Sequence, residues 1–153
     1  EMKIVSFHQK FAQAFYDLNM DWLETYFYVE DFDKEVLSNP KQYIIDPGGH
    51  IFFLLEGDVV LGTVALMKAD AGVFELTKMA VLKTMRGRKI GQKLMQHCID
   101  FAVNNGFKKI FLYSNTKLEN AIYIYRKYGF IEIPVEKDSP YERSNIKMEL
   151  PIS

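Results

Sequence analysis

The chain is short of most residues that would announce a special chemistry or compartment. It has one cysteine, Cys98, in 153 residues, which excludes an internal disulfide and a cysteine-rich zinc site. Its three histidines, His8, His50 and His97, lack ligand spacing, so no metal centre is expected. Neither sign of charge prevails: the formal net charge of −1 gives no global pull toward nucleic acid or anionic membrane. The longest apolar run, Ile51 to Leu55, falls far below the roughly 18 residues a membrane-spanning helix needs. The start has no basic-then-apolar secretion pattern, so a cytoplasmic protein is expected. Glu1, ahead of Met2, is set outside the functional reading.

What is present has the balance of a globular protein, 48% hydrophobic and 25% charged, with the length of one ordinary domain over residues 2–153. Met2 to Phe7 alternates as a short strand, and Ser6 with Gln9 has the spacing of a capping box opening a helix. Phe11, Phe15, Leu18 and Trp22 then recur at spacings of four, three and four, which places them on one helical face. A second short helical segment lies within Tyr26 to Asn39, before Pro40. Ile51 to Leu55, Val59 to Met67 and Val73 to Leu82, parted by Gly57-Asp58 and Asp70-Ala71-Gly72, form an antiparallel meander. Gly62 marks a bulge or a close backbone approach within it.

The period then changes. Ile90, Leu94, Cys98 and Phe101 make the apolar face of a helix stopped by Gly106, which puts Cys98 inside as a small hydrophobe. Lys109 to Ser114 reads as a strand, Thr116 with Glu119 as a second capping box, and the helix they open runs to Tyr128. Phe130 to Pro134 and Ser144 to Leu150 are the last strands. This order is that of an α/β (α+β) layered domain, a mixed, mostly antiparallel sheet of about seven strands flanked by about four helices.

The stretch Met85-Arg86-Gly87-Arg88-Lys89-Ile90-Gly91-Gln92 joins a strand to an amphipathic helix. A glycine-containing turn lets several N–H groups converge, and the helix start adds partial positive charge, so the segment suits an anion such as a pyrophosphate. It lacks the Gly-Lys-Ser/Thr ending of a Walker loop and the GxGxxG of a Rossmann turn.

Together with Glu75-Leu76-Thr77-Lys78-Met79-Ala80-Val81, this turn resembles motif A of the GNAT acetyltransferases, where the loop reads Arg/Gln-x-x-Gly-x-Gly/Ala. Arg86 and Gly91 match its ends, and Lys89 replaces the middle glycine. Asn120 to Phe130, with Ala121-Ile122-Tyr123-Ile124-Tyr125 and Gly129-Phe130, is similar to the family's motif B, Ile124 standing for its leucine.

The resemblance implies an N-acetyltransferase that moves an acetyl group from acetyl-CoA to a primary amine of a small molecule or protein. It implies a cleft between the fourth and fifth strands, with Met79, Ala80 and Val81 offering main-chain groups to the pantetheine and thioester. Arg86, Gly87, Arg88, Lys89, Ile90, Gly91 and Gln92 would hold the pyrophosphate, and Asn115 and Asn120 are candidate amide contacts. Tyr125 takes the family's position for the acid that meets the leaving thiolate. Glu75 is the candidate base, and alternation along its strand places it on one face with Thr77, Met79 and Val81. Asp17, Asp21, Glu24, Glu30, Asp31, Asp33 and Glu35 form either an acidic wall for a cationic acceptor or solvated helix faces. A homodimer is in keeping with the family. A non-catalytic acyl-CoA-binding module remains open, and nucleic acid is not expected as a partner.

Overall fold

The computed structural model describes residues 1–153. Its frame is one seven-stranded sheet in the order β1-β2-β3-β4-β5-β7-β6. The strands are β1 (Met2–Ser6), β2 (His50–Glu56), β3 (Val59–Asp70), β4 (Val73–Val81), β5 (Lys109–Ser114), β6 (Ile131–Ile133) and β7 (Ile146–Pro151). All neighbours are antiparallel except β4 and β5, which are parallel. A parallel pair needs a crossover, supplied by the helix between them.

The helices are α1 (Ala12–Tyr26), α2 (Asp31–Ser38), α3 (Ile90–Asn104) and α4 (Glu119–Lys127). One core packs α3 on the sheet through Ile90, Leu94 and Cys98 against Val64, Leu66 and Leu76. Burial pushes the Cys98 thiol well up, in keeping with a small inner hydrophobe. The other face carries α1 and α2, with Phe15, Leu23 and Val36 over Phe53 and Ala65. Gly62 is the close approach expected of it: a Cβ there would stand 2.9 Å from Ile90 Cγ2.

Both capping boxes expected at Ser6/Gln9 and Thr116/Glu119 are corrected. Ser6 ends β1, and the turn before α1 is capped by His8, whose Nδ1 accepts from the Lys10 N–H. The Thr116 hydroxyl instead meets the Asn145 amide at 3.1 Å. The real capping box opens α2, where the Asp33 carboxylate accepts from the Glu30 N–H. No helix is long and apolar enough to cross a membrane.

Candidate active site

Two features of β4 make the site. Its pairing with β5 is confined to Val73↔Lys109, Phe74↔Ile110 and Glu75↔Phe111, although both strands run on. Past Glu75 they diverge, opening a wedge in mid-sheet. Just there β4 also carries a bulge: Thr77 pairs with Ala65 and Ala80 with Thr63, so Lys78 and Met79 stand opposite Val64 alone. Lys78 takes φ +55°, the left-handed region that a residue with a Cβ rarely enters.

The bulge corrects the expected alternation. Glu75 and Thr77 face the α1–α2 side, whereas Met79 and Val81 turn to the opposite face and pack on the α3 core with Phe74 and Leu76. Glu75 therefore does not share a face with Met79 and Val81. Lys78 is swung onto the Thr77 side, where its Nζ lies 3.2 Å from the Tyr141 phenol and 3.4 Å from Asp33 Oδ1.

The wedge contains two connected cavities. The outer groove runs between β4 and α4 and is lined by Met79, Ala80, Val81, Arg86, Asn120 and Tyr125, all expected site residues. The inner pocket is walled by Thr77, Lys78, Tyr113, Tyr141 and Arg143, with Asn19 and Trp22 from α1. Trp22, Met79, Leu118 and Tyr125 line both, and so mark where they join.

Beyond Arg86 the chain turns into the start of α3. No acceptor within the chain takes the N–H groups of Lys89, Ile90, Gly91 and Gln92, the normal unpaired donors of a helix start. Ile90 is buried in the core, so only its backbone is on offer. Gly91 seats α3 against β4, since a Cβ there would lie 3.3 Å from Met79 Sδ. Gly87 has φ +85° and open space around it, while Arg88 and Lys89 are exposed. Lys89, in the place of the motif's glycine, adopts the conformation a glycine would, φ 62° and ψ 20°. Lys89→Gly should therefore raise stability by about 0.5–1 kcal/mol, the left-handed penalty less the unfolded-state entropy of glycine. Urea titration checks this, and a lower midpoint would refute it.

Two expected anion or amide contacts are otherwise engaged. The Arg86 guanidinium turns to α1, 3.0 Å from Asp21 Oδ2 and over the Tyr26 ring. It charges the groove wall without pointing into the turn. Asn115 is tied at both ends, its Nδ2 donating to the Arg143 carbonyl at 2.7 Å and its Oδ1 accepting from the Lys117 N–H.

Tyr125 is partly buried at the junction, and burial raises its phenol to about 12. Glu75 is not on either cavity wall; it accepts a 3.0 Å hydrogen bond from Tyr141, which is. Burial pushes the Glu75 carboxyl up, against the pull of Lys78 and of the Tyr141 bond. Of the two readings open for the acidic residues of α1 and α2, an acidic wall does not face the inner pocket, which no carboxylate lines. Asp33 and Glu30 instead lie behind it, both bonded to Arg143. Burial alone would raise the Asp33 pKa, but the Arg143 hydrogen bonds and the Lys78 charge outweigh it and hold the carboxyl low. Lys78, Tyr141 and Arg143 went unnoticed in the sequence.

The family model "Acetyltransferase (GNAT) family" matches residues 12–130. The chain is 33% identical over 89 residues to the uncharacterized N-acetyltransferase YjgM of Escherichia coli (strain K12), covering 56% of this chain and 53% of that protein. The chain thus spans about half the length of that relative. Among solved structures, a GNAT-family acetyltransferase from Staphylococcus aureus Mu50 superposes with a TM-score of 0.87 at 21% identity over 100% of both chains. The PaiA N-acetyltransferase of Thermoplasma acidophilum, in complex with coenzyme A, gives 0.76 at 16% identity over 99% of each. These likenesses show the same fold, and the family match extends across the divergent strands, the basic turn and the Tyr125 helix. The chain belongs to the acetyltransferase (GNAT) family, whose co-substrate is acetyl-CoA.

Proposed function

We propose that residues 2–153 act as one domain that transfers an acetyl group from acetyl-CoA to an amine. The observation that carries this reading is the junction of two cavities at Met79 and Tyr125. One cavity reaches Arg86, at the head of a turn with unpaired N–H donors, and the other mixes apolar walls with two cations, Lys78 and Arg143. The groove suits a CoA-type ligand: apolar walls at Val81 and Ala121, cations Arg86 and Lys117 against the one carboxylate Glu119, and, past Arg86 in the chain, the unpaired N–H groups of residues 89–92. Gly87, Arg88 and Gln92 are assigned to the pyrophosphate end because they lie in the turn that follows Arg86, and Asn120 lies on the groove wall.

Acetyl-CoA supplies the activated thioester. The amine nitrogen bonds to the acetyl carbon, the C–S bond breaks, and the ammonium proton must leave. The backbone N–H of Met79, past the bulge, is the donor for the carbonyl oxygen, since Ala80 shares the alternation of Leu82, whose N–H is spent on the Leu61 carbonyl of β3. Tyr125 donates a hydrogen bond to the departing sulfur. A phenol held at about 12 keeps its proton beside a thiolate whose ordinary pKa is ~8.5, so the sulfur leaves hydrogen-bonded. Glu75 takes the amine proton through the Tyr141 phenol, which passes one proton on as it receives another.

Release of free CoA thiol across an amine panel, with calorimetric titration of acetyl-CoA, tests the reading. Binding without release on any amine would make the chain a sensing module. Glu75→Gln should cost on the order of 10²-fold at neutral pH, with recovery as rising pH deprotonates the amine unaided. Because burial raises the Glu75 carboxyl, the wild-type rate should fall on the acid side at a pH above the ordinary carboxylate range. Superimposable profiles for variant and wild type would remove Glu75 from the mechanism.

A further inference from the structure

Both charged side chains on the inner pocket wall, Lys78 and Arg143, are cations. The carboxylates that balance them lie on the far side: Asp33 is fully buried beneath both, and Glu30 holds the outer edge of Arg143. With Glu75 behind Tyr141 the cluster holds three carboxylates and two cations, but none of the carboxylates lines the cavity, so what an acceptor meets is decided by which sign faces it.

Those cations also have donors left over. Lys78 has three N–H bonds and two partners, Asp33 and Tyr141. Arg143 spends Nη1 on Glu30 and Asp33 and one Nη2 proton on Asp33, which leaves its Nε–H and a second Nη2 proton. The Tyr141 hydroxyl gives its own proton to Glu75, so it does not compete for an anion.

Backbone strain is placed here too. A strand of regular alternation would send Lys78 to the face of Leu76 and Phe74, into the α3 core. The bulge, at the cost of a left-handed lysine, brings Lys78 to the pocket wall instead, with its ammonium between Asp33 and Tyr141. A second ammonium on the acceptor would find rings and amides but no carboxylate on these walls.

We infer that the acceptor is a small amine carrying a carboxylate on the same molecule, the carboxylate facing Lys78 and Arg143 and the amine facing Met79 and Tyr125. This inference rests on the acetyltransferase reading and specifies its acceptor.

The test uses wild-type protein at saturating acetyl-CoA and follows thiol release with α-, β- and γ-amino carboxylates. Each is paired with its own primary amide and methyl ester, with spermidine as a dicationic control. The best carboxylate should exceed its amide and ester by about 10- to 100-fold in kcat/KM, the worth of a charge-assisted hydrogen bond. In Lys78→Gln that preference should collapse toward parity, chiefly through a higher KM for the carboxylate. Should the variant misfold, the wild-type panel decides alone. Spermidine, an amide or an ester matching the best carboxylate overturns the inference. So does acetyl-CoA binding without acetylation of any carboxylate; the first outcome leaves the acetyltransferase reading standing, and the second leaves it to be decided on the other amines. Absence of acetyl-CoA binding would overturn that reading and this inference with it.

Discussion

Asp33→Ala should destabilise the fold by about 3–5 kcal/mol, the cost of removing one partner from a buried ion pair. The carboxylate has no solvent exposure and is held by two cations, Lys78 Nζ at 3.4 Å and Arg143 Nη2 at 3.0 Å. Its loss leaves the Lys78 ammonium buried with only the Tyr141 phenol, and removes the partner that opens α2. Burial already pulls the Lys78 pKa below the ordinary lysine range against Asp33 and Glu75, so the variant should carry a lysine still easier to deprotonate. The sign of the pH dependence follows from Asp33 itself. Its folded pKa is depressed, so its contribution is fully present above the unfolded value of ~3.9 and is lost as pH falls through the folded one. Glu75, with a raised pKa, works in the opposite sense and is relieved by acid. The difference between wild type and Asp33→Asn, measured by urea titration, isolates the Asp33 part: constant near neutrality, shrinking below about pH 4. A loss under ~1 kcal/mol in Asp33→Ala would mean that the network contributes no more than a surface pair.

Tyr125→Phe should lower kcat on the order of 10²-fold, the usual cost of one donor aimed at developing charge. The ring would still pack at 6.0 Å from Phe130, so acetyl-CoA affinity should stay within a few-fold. Single-turnover thiol release separates chemistry from product release. A phenylalanine variant with the wild-type single-turnover rate would reduce Tyr125 to a packing residue.

Residues with strong periodicity announced their places. The meander, the α3 face from Ile90 to Phe101 and the turn before it were legible because two-residue and 3.6-residue repeats survive in a single sequence. Lys89 was legible as an oddity, and its left-handed backbone explains how a lysine fills a glycine position. Caps were misread because Ser6 and Thr116 have the right spacing, but Ser6 is needed to finish a strand and Thr116 to hold Asn145. The face of Glu75 was misread for a sharper reason. One extra residue in a strand inverts every side chain after it, and nothing in Glu75-Leu76-Thr77-Lys78-Met79 marks the insertion. Tyr141 and Arg143 were passed over because they lie in the aperiodic segment between β6 and β7, where spacing carries no information. Arg86 and Asn115 were found as types but not as contacts, since their partners Asp21 and Arg143 are remote in the chain.

The confinement of β4–β5 pairing to Val73, Phe74 and Glu75 gives the sheet the mechanics of tongs. Strands β1 to β4 form one arm and β5 to β7 the other, joined in the sheet at a single short seam. From Glu75 to Val81 the free arm of β4 is ~20 Å long at strand rise, so a rotation of only ~3° about the seam shifts its tip by ~1 Å without breaking one pair. The width of the wedge is thus a soft coordinate in an otherwise stiff sheet.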